Sequence, residues 1–435
     1  MAASIATPVS TTITGGQLVD AAGGLDNSVQ DLFLADGRIV AIGQPPSGFD
    51  AQLILDATGK IVCPGLIDLS ARVREPGQEH KATIASETRA AARGGVTTLC
   101  IPPDTDPIID TPAVAELIHQ RATHAGLARV EVLGALTERL GGERLAEMGI
   151  LGQAGCVGVS NGMRPIGNSE VMRRALEYAA TFGLTVFLHA EDPWLAREGL
   201  VNEGSVSTRL GLPGIPETAE TIIVSRDLLL VQQTGARAHF CHLSTARAVD
   251  MVREAQRHGL EVSADVTAHH LTLTEDDTSD FNSQCHVRPP LRTSTDRDRI
   301  WEGLAEGTLV AVCSDHQPHE RDARLNPFSA TEPGISGLET LLALTLRLVD
   351  AGVLTLAEAI ARLTTGPASV LGLERGRLSV GSVADVCIFD PQITWTMHES
   401  DLVSRGHNTP FLGWRFKGRV THTLLGGNLV FAMAD

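Results

Sequence analysis

Three apolar runs in this chain end on side chains that can bind a metal or move a proton. Val186-Phe187-Leu188 leads into His189, the phrase AHFCHLST carries His239 and His242, and VAVCSDHQPH carries Asp315 followed by His316 and His319. Imidazole and carboxylate are zinc ligands and also the usual groups of general acid–base chemistry. One histidine after an apolar run is as often a satisfied loop or core residue as a ligand. Three run ends of this kind in one chain are a more specific signal. A fourth run, Leu66-Ile67-Asp68-Leu69, ends differently, on Ser70, Ala71 and Arg72, then Arg74-Glu75-Pro76-Gly77. A hydroxyl is a poor zinc ligand, and a guanidinium has no lone pair to donate. Arg74 suits pairing with a carboxylate.

These residues need a scaffold that gathers strand ends. Between about residues 61 and 370, β-rich apolar runs alternate with Ala/Leu/Arg/Glu stretches of helical length. The pattern predicts strands over Val96–Ile101, 130–136, 155–159, 185–188, Ala238–Cys241, 261–266 and 309–313. It predicts helices over 83–93, 113–125, Ser169–Thr181, 217–233, 245–258 and 337–351. Repeating βα units imply a parallel barrel with helices outside, a (β/α)8 TIM-type fold whose ligand face is the carboxyl end of its strands. The stretches 211–216 and 276–290 read as long loops on that face. Residues 1–60 and 371–435 have a different texture, with short alternating runs and turn signals at Asp36-Gly37 and Gly426-Gly427-Asn428. The two ends are expected to pair into one small β domain beside the barrel.

Bulk properties narrow the partners. A net charge of −17 argues against nucleic acid or an anionic membrane surface. Apolar content of 43% with 20% charged residues fits a soluble globular chain. The seven cysteines are scattered singly through apolar runs, which implies reduced core thiols. The first residues, MAASIATPVSTTIT, carry no basic segment followed by a long apolar one. A cytoplasmic location is the expectation.

The frame from Pro64-Gly65 to Arg74-Glu75-Pro76-Gly77 resembles the first barrel strand of the cyclic amidohydrolases, and of dihydroorotases in particular. That family reads PG, an apolar run, then IDxHxHxREPG, and the two histidines bind a catalytic metal. The resemblance extends through FLHAED, AHFCHLST, VAVCSDHQPH, PGIPETAE at 213–220, TEPGIS at 331–336, TTGPASVLGL, HNTPFLGW and GSVADVCIFD. It implies the amidohydrolase kind of barrel with a composite β-sandwich made from both chain ends. By the same resemblance His189 and His242 correspond to metal ligands, with His239 a structural neighbour. Asp315 corresponds to the aspartate that binds metal and shuttles the proton. His316 and His319 fall where the family lines its substrate site, and Arg74 where it anchors a carboxylate.

Several positions depart from the family. Ser70 and Arg72 stand where the two histidines belong. The bridging carboxylate, a carbamylated lysine or an aspartate in the family, is replaced in the phrase Ser160-Asn161-Gly162 by Asn161, and a neutral amide cannot bridge two dications. In PPDTDP, Asp106 takes the place of an asparagine that would donate to the substrate, and Arg288 replaces another polar contact. Arg72 beside Asp315 would supply positive charge where a metal would have been. The resemblance therefore implies a dihydroorotase-like protein of pyrimidine synthesis with a degenerate metal site. Chains of this kind in some bacteria are silent subunits that assemble with aspartate carbamoyltransferase, which is the implied partner; self-association is compatible with the same reading. On this account no cofactor is expected. The alternative is an active hydrolase of cyclic amides with one zinc held by His189, His242 and Asp315, the last as general base.

Overall fold

In the computed structural model, which describes residues 9–434, eight short parallel strands form the central sheet. In chain order they are Leu66–Asp68, Val96–Ile101, Arg129–Ala135, Gly158–Ser160, Val186–His189, Ala238–Cys241, Val262–Thr267 and Ala311–Cys313. Each pairs with the next in sequence. The ring is drawn together at its carboxyl end, where Ala71 bridges His316. There the Arg72 amide donates to the His316 carbonyl (2.8 Å) and the His316 amide to the Ser70 carbonyl (3.2 Å). That junction brings the end of the first strand against the end of the eighth.

The helices lie where alternating segments require. Ser169–Thr181 begins at an Asn168 cap whose side chain accepts from the amides of Glu170 and Val171. Ala246–Arg257 begins at Thr245 and buries Ala248, Val249, Val252 and Ala255, a single apolar stripe facing the barrel. The expected helices recur with their ends shifted by a few residues. The helix Ser294–Glu306, capped reciprocally by Thr293 and Asp296, was not among those expected. The stretch 276–290, expected as loop, carries two short 3₁₀ segments, Glu275–Phe281 and Ser283–Cys285.

The chain ends meet in a second sheet of eight strands. Its join is the antiparallel pairing of Ile61–Pro64 with Val386–Thr396, which sets Cys63 opposite Cys387. Asp36 (φ 50°) and Gly37 (φ 75°) turn one of its hairpins, both in the left-handed region that a two-residue I′ turn demands. Gly65 marks the passage from this sheet into the barrel. A Cβ there would lie 2.3 Å from Thr97 Oγ1, so only glycine fits. All seven cysteines are free thiols, and all but the half-buried Cys241 are buried. Among the described residues no helix is long and apolar enough to cross a membrane. The first eight residues, part of the stretch read for a leader, lie outside the described residues.

Candidate functional site

Asp315 sits just past the eighth strand with φ 42°, and His242 just past the sixth with φ 55°. Non-glycine residues occupy this left-handed region at a steric cost, which persists where surrounding structure holds them. The protein's own donors surround the Asp315 carboxylate. Oδ1 accepts from Ser70 Oγ (3.2 Å) and from the Arg72 guanidinium (3.1 Å), and Oδ2 from Gln317 Nε2 (2.8 Å). His242 Nε2 lies 3.9 Å from Oδ1. Arg72 also donates through Nε to Asp104 Oδ2 (2.9 Å), so one guanidinium joins two carboxylates. Burial works against the Arg72 charge, but Asp104 and Asp315 outweigh it and raise the pKa above the usual arginine value.

Beneath this group His242 and Asp265 form a second layer. The Asp265 carboxylate accepts from the His242 amide (2.7 Å) and lies 3.3 Å from His242 Nδ1. It also accepts from His239 Nε2 (3.0 Å), whose ring is fixed from the other side by Ser263 Oγ at Nδ1 (2.8 Å). Burial opposes the Asp265 charge, yet His242 and His239 outweigh it and hold the carboxyl far below its usual range. His242 moves the other way: burial alone would lower it, and Asp315 and Asp265 raise it.

His189 has a different fate. Among the described residues neither ring nitrogen has a hydrogen-bond partner, although both atoms are buried. Burial pushes its pKa down to about 4. Its neighbour Glu191, 4.0 Å away, is engaged by Arg288, whose Nε and NH2 reach the carboxylate at 2.5–3.0 Å. Asn161 is turned into a brace: its Oδ1 accepts from Thr137 Oγ1 (2.6 Å), and its Nδ2 donates to the carbonyls of Arg164 (2.8 Å) and Leu140 (3.3 Å).

Arg74 (φ 64°) and His319 are brought together, NH2 to Nε2 at 3.3 Å. Arg74 Nε donates to the Pro318 carbonyl (3.0 Å), and burial, with Arg72 nearby, lowers its pKa to about 10. His319 Nδ1 faces Lys81 Nζ (3.3 Å) and Nε2 donates to the Pro333 carbonyl (3.0 Å). Burial first, then Arg74, pushes this imidazole down to about 2, so it is neutral.

Two expectations need correction. His316 does not offer a free ring to a substrate: Nε2 is bonded to Glu87 (2.7 Å) and Nδ1 accepts from the Gly337 amide (3.1 Å). Asp106 is exposed, and it is Asp104, two residues earlier, that reaches the site through Arg72. Arg288, expected to replace a polar contact, pairs with Glu191. The sequence reading missed Asp104, Gln317, Asp265 and Glu191. Asp265 had a signal available, since Ser263, Asp265 and Thr267 alternate along one face of a strand.

The donor set does not fit a pair of bridged dications. Asn161 faces a loop, Ser70 and Arg72 face Asp315, and among the described residues no group of ligand atoms within reach of one another joins His189 to Asp315. Among the described residues, the groups whose ligand atoms lie within 4.8 Å of one another are His239–Cys241–Asp265 and His242–Asp265–Cys313, neither of which includes His189 or Asp315. The space that remains is small. A cavity lined by Arg72, Arg74 and Asp104 measures about 20 Å³, and one lined by Asn161, Arg164 and His189 about 10 Å³, room for about one water at most in each.

Residues 59–248 match the dihydro-orotase-like family model, and residues 320–431 match the amidohydrolase family model. A "dihydroorotase-like protein" of Pseudomonas aeruginosa is 51% identical over 96% of this chain and 98% of its own length. The chain belongs to the dihydroorotase-like family. A "dihydroorotase" of Syntrophotalea carbinolica is 45% identical over 97% of this chain and 99% of its own length. Among solved structures, the L-hydantoinase (dihydropyrimidinase) of Arthrobacter aurescens superposes with a TM-score of 0.86 over 98% of each chain at 24% identity, a likeness of fold. Barrel and flanking sheet are thus those of the amidohydrolases, and the departures at Ser70, Arg72 and Asn161 lie within a dihydroorotase-like chain.

Proposed function

We propose that this dihydroorotase-like chain is catalytically silent and serves as a structural subunit for the catalytic chains of aspartate carbamoyltransferase in pyrimidine synthesis. The observation that supports silence is the contact between Arg72 and Asp315 at 3.1 Å. Asp315 is the carboxylate an active relative would need for metal and proton, and here its oxygens are engaged by Ser70, Arg72 and Gln317. A dication placed about 4 Å from the guanidinium would meet a repulsion on the order of 8 kcal/mol at an effective dielectric of about 20. Support for the structural role is the retained scaffold phrasing, including 213–220 and 331–336, in a chain half identical to one named dihydroorotase-like.

The test has two arms. The isolated chain, expressed with ample zinc, should give no hydrolysis of dihydroorotate above buffer at alkaline pH. Co-expressed with the carbamoyltransferase catalytic chain, it should elute with it as one larger species. Separate elution would remove the structural role. Hydrolysis that His242→Ala abolishes would remove the silence. The unpartnered His189 ring favours a second reading, a single zinc on His189, His242 and Asp315; that reading requires hydrolysis to vanish in His189→Ala as well.

A further inference from the structure

On the far side of the His242 ring from Asp315, three ligand atoms from three barrel segments converge. His242 Nδ1, Asp265 Oδ1 and Cys313 Sγ are separated by 3.3 Å (His to Asp), 3.4 Å (His to Cys) and 3.6 Å (Asp to Cys). Zinc bonds of roughly 2.0–2.3 Å at tetrahedral angles place neighbouring ligand atoms about 3.3–3.7 Å apart. All three residues are buried. We propose that His242, Asp265 and Cys313 form a zinc site of their own, set deeper in the barrel than the crevice of Ser70, Arg72 and Asp315.

Three features support an ion here over a cluster of hydrogen bonds. The 3.3 Å separation of Nδ1 and Oδ1 exceeds the usual range for an N–H···O bond, while Asp265 Oδ1 already has a short one, 2.7 Å, from the His242 amide. The carboxylate is oriented by an outer shell, His239 Nε2 at 3.0 Å, itself held by Ser263 at 2.8 Å, as ligating groups commonly are. Charge also closes. A carboxylate and a thiolate balance a dication, and the thiol proton leaves to solvent when the sulfur binds. Imidazole, thiolate and carboxylate together suit zinc better than magnesium or calcium, which prefer oxygen. Three protein ligands leave the fourth position to water. The Nδ1 atom is used, so Nε2 keeps its proton and its direction toward Asp315. The site does not depend on silence toward dihydroorotate, and a silent chain can hold this ion.

The whole chain, purified after zinc-replete expression and dialysed against a weak chelator, should retain about one zinc, and Cys313→Ser and Asp265→Asn should each retain less than about one tenth. Cobalt(II) exchanged into the wild-type chain should give a near-ultraviolet thiolate-to-metal absorption band. This band keeps the question answerable if the variants fold poorly. His189→Ala should keep both metal and band. A wild-type chain that holds no zinc and shows no cobalt–thiolate band overturns the site while leaving the silent reading intact. Zinc kept by Cys313→Ser but lost by His189→Ala also overturns it, moves the ion into the crevice, and turns the case against silence.

Discussion

Where the first and eighth strands meet, Ser70 and Arg72 stand at the strand end, and the surroundings are complete: Ser70, Arg72 and Gln317 satisfy Asp315, and Arg72 reaches on to Asp104. Across the mouth at the fifth strand, the His189 ring is buried with neither nitrogen bonded among the described residues. The first side is electrostatically closed by residues of the chain itself. The other side leaves a buried imidazole without a hydrogen bond. A buried group is stabilised by the partners it has, not by resemblance to a working site, and the two sides should therefore respond oppositely to mutation.

The largest effect is expected at Arg72. Arg72→Met leaves the Asp315 side chain, 2% exposed, without its cation, and stability to urea should fall by about 3–5 kcal/mol. Adding Asp315→Asn should recover most of that loss; a single-variant loss under about 1 kcal/mol would break the contrast, since the pair would then carry little of the local charge balance. Arg288→Met is expected to cost less, about 2–4 kcal/mol, because Arg288 is 30% exposed although Glu191 is 5% exposed. It should also raise the His189 pKa from about 4, since a repelling cation is removed and Glu191 is released; an imidazole resonance titrating at an unchanged pH would contradict this. Asn161→Ala removes three hydrogen bonds in a buried loop brace and should cost about 1–3 kcal/mol by thermal or urea unfolding.

Much of this was readable in the chain. The barrel strands Val96–Ile101 and Ala238–Cys241 and the helix Ser169–Thr181 fall where apolar period and capping residues place them. The Asp36-Gly37 hairpin follows from turn chemistry. The positions of Ser70, Arg72, His242 and Asp315 at strand ends follow from the family frame. What was not readable is which partner each side chain takes. Asp104 and Asp106 are both acids in one turn, and only the path of the backbone decides that the first reaches Arg72. His316 reads as a site residue by spacing, but Glu87, far away in sequence on the first helix after the barrel opens, claims its ring. Asn161 reads as a failed ligand, and only the fold assigns it to bracing Thr137, Leu140 and Arg164. Spacing along a chain locates strand ends; hydrogen-bond satisfaction is settled between elements distant in sequence.

The smallest effect, and the sharpest test of the contrast, belongs to His189. Burial lowers its pKa from the ordinary 6.5 to about 4. Between those values the unfolded chain holds a proton that the folded chain does not, so this residue makes stability fall as pH drops from about 6.5 toward 4. His270 and His286, also lowered to about 4 by burial, act in the same direction and keep part of the slope in any single variant. His189→Phe replaces an unbonded ring by an apolar one. At pH 7 it should leave stability within about 1 kcal/mol of wild type, and at pH 5 it should be the more stable of the two by about 1–2 kcal/mol. Urea titrations at the two pH values read this directly. A loss of about 3 kcal/mol at pH 7 would mean that the native ring has a bound partner, and the fifth strand end would then be as complete as the first.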